Sequence, residues 1–169
     1  MGVLQKKVCM VGVAGTGKTS LVRQFVDSTF SEKYHSTIGV KVDRKIVDFG
    51  DKTANLMLWD IEGRTEDQDI SPSYLRGASG ILFVVDGTRR ETYEQLFELQ
   101  DMATAVVGTV PSAVALNKHD LRDAWQIRSD DQETLTERGW HAFHTSAKTG
   151  EAVEEAFHWL TARMVGGQP

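Results

Sequence analysis

The chain has 169 residues, a formal net charge of −5 with histidine neutral, and 40% hydrophobic residues. This length and composition suit one soluble globular domain with a sizeable core and exclude disorder as the main state. The acidic balance disfavours non-specific nucleic-acid binding, which depends on clustered positive charge. The single cysteine, Cys9, excludes an internal disulfide and a cysteine-rich zinc site, and a reduced cytoplasmic location is expected.

No segment of the sequence predicts membrane attachment. The longest apolar run, Ile81–Val85, is far shorter than the roughly 20 residues that span a bilayer. The first residues lack an apolar signal region, and Lys6 breaks the myristoylation pattern. The last residues, Gly166–Pro169, contain no cysteine for prenylation, so we expect no lipid anchor in this chain.

Short β-branched runs alternate with helical patterns along the chain. The predicted strands are Lys7–Val13, Lys41–Phe49, Ala54–Asp60, Ile81–Asp86, Ala113–Asn117 and Trp140–Thr145. The predicted helices are Lys18–Asp27, Thr92–Val107, Asp131–Arg138 and Glu151–Met164. This alternation predicts an α/β fold with a mostly parallel six-stranded sheet.

Two local signals refine this outline. The turn Gly50–Lys52 predicts a hairpin, and therefore one antiparallel strand. Thr88 and Glu91 have the spacing of a capping box just ahead of the helix predicted at Thr92–Val107.

The segment Gly12–Thr19 matches the pattern G-x-x-x-x-G-K-[ST] at every fixed position, between a predicted strand and a predicted helix. Glycines let successive backbone N–H groups converge on one anion, and the helix N-terminus adds positive potential. Lys18 supplies a charge for the β- and γ-phosphates, and the Thr19 hydroxyl can bind Mg²⁺. The alternative is a glycine turn without a ligand.

The segment Asn117–Asp120 follows a predicted strand, where open α/β sheets bind ligands. An ionised Asp120 only accepts hydrogen bonds, so it matches the two adjacent donors of guanine and rejects adenine. Alone, this tetrapeptide is weak evidence, because polar turns often follow strands.

Two further segments, Asp60–Gly63 and Thr145–Lys148, follow other strands. In chain order, the four motifs resemble those of the Ras superfamily of small GTPases, most closely the Rab branch. The stretches Tyr34–Val40 and Ser73–Ile81 are also similar to Rab proteins.

The resemblance covers nearly the whole chain and implies a single P-loop NTPase small G domain over residues 1–169, with about five helices flanking the sheet. It also implies Mg²⁺ as cofactor and GTP or GDP as ligand. Effector, exchange-factor and GTPase-activating proteins are the expected partners of a monomer.

The resemblance implies specific roles in the nucleotide site. Thr37 would meet Mg²⁺ and the γ-phosphate, Asp60 would hold Mg²⁺ through water beside Thr19, and the Gly63 N–H would contact the γ-phosphate. Phe30 would pack against the guanine, unless it only packs in a surface loop. The nucleotide-binding residues so implied are Ala14, Gly15, Thr16, Gly17, Lys18, Thr19, Ser20, Phe30, Tyr34, Thr37, Gly63, Asn117, Lys118, Asp120, Leu121, Ser146, Ala147 and Lys148.

Three residues depart from the family pattern. Arg64 stands where a water-orienting glutamine is usual, and a guanidinium accepts no hydrogen bond. Arg64 either joins Lys18, Thr37 and Gly63 in stabilising phosphate charge or is an exposed arginine of the switch loop with no catalytic part. Glu62 replaces a small alanine and would repel the γ-phosphate, and Ala14 replaces a glycine common in the Ras branch.

These departures lead us to expect slow intrinsic GTP hydrolysis. The alternatives are a GTP-bound scaffold without hydrolysis and, with little support, a nucleoside kinase.

The resemblance places two nucleotide-dependent switch loops at residues 31–40 and 62–74. Trp59 and Tyr74 align with two members of the hydrophobic triad that Rab proteins present to effectors, and Val42 stands where the third, usually aromatic, member is expected. The other interpretation of Trp59 is a core residue on the sheet face.

Overall fold

A computed structural model describes residues 2–34 and 36–166, whose strands form one sheet in the order β2-β3-β1-β4-β5-β6. β2 and β3 are antiparallel, and every other neighbouring pair is parallel. The strands are β1 (Gly2–Gly12), β2 (Val40–Phe49), β3 (Lys52–Ile61), β4 (Gly80–Asp86), β5 (Ser112–Asn117) and β6 (His141–His144). The predicted mostly parallel sheet with one antiparallel strand is confirmed.

Five α-helical segments lie within the described residues, on the two faces of the sheet. They are α1 (Lys18–Asp27), α2 (Arg90–Glu94), α3 (Leu96–Val107), α4 (Ser129–Glu137) and α5 (Val153–Met164). Buried residues of α1 and α5 share one apolar cluster, in which Phe25 stacks on Phe157 at 4.2 Å. Buried residues of α2, α3 and α4 share the other cluster, so both faces of the central strands are covered.

Strand order reverses at β1, which lies between β3 and β4. In open α/β sheets, ligands bind outside the carboxyl ends of the strands at such a point. The loop that follows Gly12 therefore begins at the crevice where a ligand is expected. No helix among the described residues is long and apolar enough to cross a membrane.

The predicted hairpin is confirmed. Phe49 pairs with Lys52 around a two-residue turn, and Gly50 has a φ of 59°, which glycine adopts without strain. Every residue of β4 is buried, as its continuous apolar run predicts.

The segment after β4 differs from the prediction. The helical segment begins at Arg90 and is divided at Gln95 into α2 and α3. The Thr92 hydroxyl accepts the Asp86 N–H at 2.9 Å and donates to the Arg89 carbonyl at 2.8 Å, which ties the first helical turn to the end of β4. The predicted capping box is wrong, because the Thr88 hydroxyl donates to the buried Asp86 carboxylate at 2.6 Å instead.

Other boundaries shift by a few residues. β1 starts at Gly2 because it pairs with β3 from that residue onward. α4 starts at Ser129, before the predicted Asp131, because the Asp131 carboxylate accepts the Arg128 N–H at 2.8 Å and satisfies a free donor ahead of the helix. α5 starts at Val153, two residues later than predicted.

Asp131 also joins α4 to α2. Its carboxylate accepts hydrogen bonds from both terminal nitrogens of Arg90, at 2.7 and 2.9 Å. The hydrogen bonds from Arg90, opposed in part by burial, hold the pKa of Asp131 at about 2.

We expect Asp131→Asn to lower the free energy of unfolding at pH 7 by about 2 kcal/mol, because hydrogen bonds to charged groups contribute about 1.5–3 kcal/mol. The folded pKa lies below the unfolded value of about 3.9, so this stabilisation is present above that value and declines as pH falls towards about 2. Urea unfolding at pH 7 and pH 3 measures this stabilisation. The difference in the free energy of unfolding between wild type and Asp131→Asn should be about half as large at pH 3 as at pH 7.

Asp130→Asn is the matched control. The Asp130 side chain is exposed and lies 3.4 Å from Arg128, so its loss should have little effect. Two results would contradict this account of Asp131. One is an equal loss in the free energy of unfolding for both substitutions, and the other is a loss for Asp131→Asn that does not change with pH.

Candidate nucleotide-binding site

A cavity of about 530 Å³ lies at the carboxyl ends of β1, β3, β5 and β6. Five segments form its wall: the loop before α1 together with the first turns of that helix, the loop before β2, the segment after β3, and the loops after β5 and β6. The predicted residues that line it are Ala14, Gly15, Gly17, Lys18, Thr19, Ser20, Phe30, Tyr34, Thr37, Gly63, Asn117, Lys118, Asp120, Leu121, Ala147 and Lys148.

Three predicted site residues, Thr16, Ser146 and Asp60, are buried behind this wall. The Thr16 hydroxyl donates to the Val13 carbonyl at 3.0 Å, and the Ser146 hydroxyl donates to Asp120 at 2.7 Å. Ser146 therefore supports a residue that faces the cavity, and Thr16 holds the backbone of the phosphate loop.

Sequence reasoning missed several lining residues, and it named Glu62 only as a departure. The missed residues are Arg23, Ser31, Glu32, Lys33, Ser36 and Thr65. None of them belongs to the four nucleotide-binding motifs, although all except Arg23 lie within the predicted switch loops. His35, within the predicted switch loop at residues 31–40, lies outside the described residues.

The loop between β1 and α1 has the geometry of an anion site. Gly15 and Gly17 have φ values of 79° and 101°, which direct successive N–H groups to one side. Among the described residues, no acceptor takes the N–H groups of Gly15, Thr16 or Gly17. Free donors ahead of a helix N-terminus suit phosphate oxygens.

Lys18 lies at the floor of this loop and is only 6% exposed. Its ammonium donates to the carbonyls of Val13 at 2.9 Å and Gly12 at 3.3 Å. Burial lowers the pKa of Lys18 to about 8, although the charge of Asp60 acts in the opposite direction. A phosphate in the cavity would stabilise the charged form of this lysine.

Three oxygen-bearing side chains meet beside Lys18. The Thr19 hydroxyl lies 2.7 Å from the Thr37 hydroxyl and donates to Asp60 Oδ2 at 2.6 Å. Asp60 Oδ1 is buried without a hydrogen-bond partner among the described residues. Hard oxygen donors with an unpartnered carboxylate oxygen fit Mg²⁺, which Thr19, Thr37 and Asp60 would hold.

The other end of the cavity fits a purine base. Asn117 donates to the Thr16 carbonyl and accepts from the Thr145 hydroxyl, both at 3.0 Å, so it joins the phosphate loop to the loop after β6. Ser146 orients the Asp120 carboxylate, which faces the cavity. Phe30, 38% exposed, lies at the edge of the cavity.

Gly63 is packed tightly against the phosphate loop. A Cβ at this position would lie 2.5 Å from the Ala14 backbone and 2.8 Å from the Lys18 ammonium. The next residue continues this contact, since the Ala14 N–H donates to the Arg64 carbonyl at 2.9 Å and the Arg64 N–H donates to the Gly12 carbonyl at 3.1 Å. The start of the second switch loop is thus hydrogen-bonded to the phosphate loop.

The Arg64 side chain does not line the cavity. Its guanidinium makes two hydrogen bonds to Asp69, at 2.9 and 3.0 Å, and one to Glu98 on α3 at 2.9 Å. The side chain is only 15% exposed, so it is not the free surface arginine of the alternative interpretation either. Glu62 does line the cavity, and its N–H donates to the Gly39 carbonyl at 2.7 Å.

The predicted partner surface is partly covered. The Lys7 ammonium lies 3.5 Å from the centroid of the Trp59 ring, and Trp59 and Tyr74 are half-buried against the core. Val42 is 41% exposed. Trp59 is therefore neither a fully exposed nor a fully buried residue.

Comparisons with known proteins agree with this site. A family model described as the Ras family matches residues 7–166. The chain is 37% identical over 153 residues to the Ras-related protein Rab-4B of Homo sapiens. The aligned region covers 89% of this chain and 72% of that protein. It is 36% identical over 154 residues to the Ras-related protein Rab-1 of Theileria annulata, covering 89% and 70%.

The chain therefore belongs to the Ras family. It is a small GTPase of the Ras superfamily, close to the Rab branch.

Asp120→Asn tests guanine selectivity. We expect the variant to lose affinity for GDP by about 10³-fold or more, because an amide presents a donor to the 2-amino group of guanine. It should gain affinity for xanthosine diphosphate, whose 2-oxo group accepts from that amide. Titration calorimetry with both nucleotides measures this exchange, and equal losses for both would contradict the assignment of Asp120 to the base.

Proposed function

We propose that the chain is a magnesium-dependent guanine-nucleotide switch with slow intrinsic GTP hydrolysis. The observation that carries the slow rate is the Arg64 guanidinium, which is bound to Asp69 and Glu98 and turned away from the cavity. The residue at the position of the family's water-orienting glutamine therefore offers no hydrogen-bond acceptor to an attacking water.

The other residues of the site support binding and orientation of GTP. Lys18 and the N–H groups of the phosphate loop neutralise the phosphates, while Asp120 and Asn117 fix the base and its loop. Mg²⁺, which Thr19, Thr37 and Asp60 would hold, would stabilise negative charge on the phosphates. Thr37 and the Gly63 N–H would contact the γ-phosphate.

Glu62 adds a second reason for a slow rate. Glu62 lines the cavity beside Gly63, where the γ-phosphate is expected. A carboxylate at close range opposes the stabilisation of negative charge in the transition state for hydrolysis, unless it turns away.

Residues 31–40 and 62–74 are the proposed switch loops, through which effectors and regulators would read the nucleotide state in the cytoplasm. The same observations on Arg64 and Glu62 favour a second candidate, a GTP-bound interaction module without hydrolysis. The two functions differ only in the fate of bound GTP.

We expect Arg64→Gln to raise the single-turnover rate of GTP hydrolysis by about tenfold or more, because a carboxamide accepts a hydrogen bond from water. The rate is measured with protein in excess over GTP in the presence of Mg²⁺. Arg76→Gln, at an exposed position of the following segment, is the control and should hydrolyse GTP at the wild-type rate.

Each outcome separates the candidates. A wild-type rate equal to or above that of Arg64→Gln would contradict slow hydrolysis through loss of the glutamine. Retention of intact GTP by the purified wild type over many hours would favour the interaction module.

A further inference from the structure

Three consecutive carbonyl groups of the phosphate loop are each held by a side chain from outside the loop. Lysine, arginine and amide nitrogens donate to them from the side opposite to the free N–H groups. The pairs are Ala14 with Arg89 at 2.8 Å, Gly15 with Lys118 at 3.0 Å, and Thr16 with Asn117 at 3.0 Å.

These hydrogen bonds set the direction of the neighbouring N–H groups. In a trans peptide unit the C=O and the following N–H point in opposite directions. A fixed Ala14 carbonyl therefore fixes the N–H of Gly15, and the next two carbonyls fix the N–H groups of Thr16 and Gly17. No described residue accepts these three N–H groups.

Asp86, at the end of β4, orients two of the three outside side chains. Its Oδ2 lies 3.1 Å from Arg89 Nε and 2.8 Å from the Lys118 ammonium, and its Oδ1 accepts from Thr88. The carboxylate is 2% exposed. Burial alone would raise the pKa of Asp86, but the hydrogen bonds from Lys118 and Thr88 outweigh it and lower the pKa below its ordinary value.

Arg89 also brings positive charge to the edge of the loop. A Cβ on Gly15 would lie 3.3 Å from the Arg89 guanidinium and 3.8 Å from the Tyr34 hydroxyl. The positive charge of Arg89 lowers the pKa of Lys18, and its effect ranks third after those of burial and of the Asp60 charge. The guanidinium is thus close enough to act on an anion in the cavity.

We propose that Arg89 is a positioning residue of the nucleotide site, which holds the Ala14–Gly15 peptide unit so that the Gly15 N–H faces the phosphates of the bound nucleotide. Lys118 and Asn117 belong to the base-loop motif, whereas Arg89 lies outside every motif in the sequence. The inference rests on the proposed guanine-nucleotide function and adds a residue that determines how firmly the nucleotide is retained.

The test is dissociation of a fluorescent GDP analogue from the full chain in Mg²⁺. We expect Arg89→Ala to release it about five- to tenfold faster than wild type, because one hydrogen bond to a charged donor is lost. Arg89→Lys should recover part of the retention, since it keeps the charge. Arg44→Ala, an exposed arginine on β2, should release the analogue at the wild-type rate.

A second readout separates positioning from general loosening. In the GDP-bound protein, the Gly15 amide proton should move upfield in Arg89→Ala, while the Thr16 and Gly17 amide protons, held by other side chains, should move much less. Unchanged dissociation, or equal shifts of all three amides, would overturn the role of Arg89. Failure of the wild type itself to retain GDP would instead contradict the proposed function, on which this inference rests.

Discussion

The site depends on the convergent N–H groups of the phosphate loop, for which the described part of the chain offers no acceptor. This loop directs three backbone N–H groups and a buried lysine towards the cavity. An anion bound there would accept their hydrogen bonds and balance the positive charge. Asp60, whose Oδ1 has no hydrogen-bond partner within residues 2–34 and 36–166, supplies negative charge for a cation. A phosphate with its divalent cation satisfies both, and the carbonyl contacts from Asn117, Lys118 and Arg89 keep the donors in place for it.

The features that could be predicted from sequence are those fixed by local chemistry. The phosphate loop needs glycines at set positions, and the hairpin needs Gly50, so both are visible in the sequence alone. β4 is recognisable because burial on both faces demands a continuous apolar run. The motif after β5 is weak evidence alone, and it is recognised as a base-binding segment only together with the other motifs in chain order.

The features that escaped prediction depend on contacts between distant residues. The orientation of Arg64 is set by Glu98, 34 residues further along the chain, and no local pattern signals that pair. Thr88 has a capping residue's spacing, but the buried Asp86 carboxylate needs donors and takes its hydroxyl. Arg89 escaped attention because its partner, Ala14, is 75 residues away in the sequence.

The most direct test of whether the cavity is a guanine-nucleotide site is calorimetry. Nucleotide-free protein is titrated in Mg²⁺ with a non-hydrolysable GTP analogue and, separately, with the matching ATP analogue. The account predicts binding of the guanine analogue about 10⁴-fold or more tighter than the adenine analogue. Equal affinity for the two, or binding of neither, would contradict it.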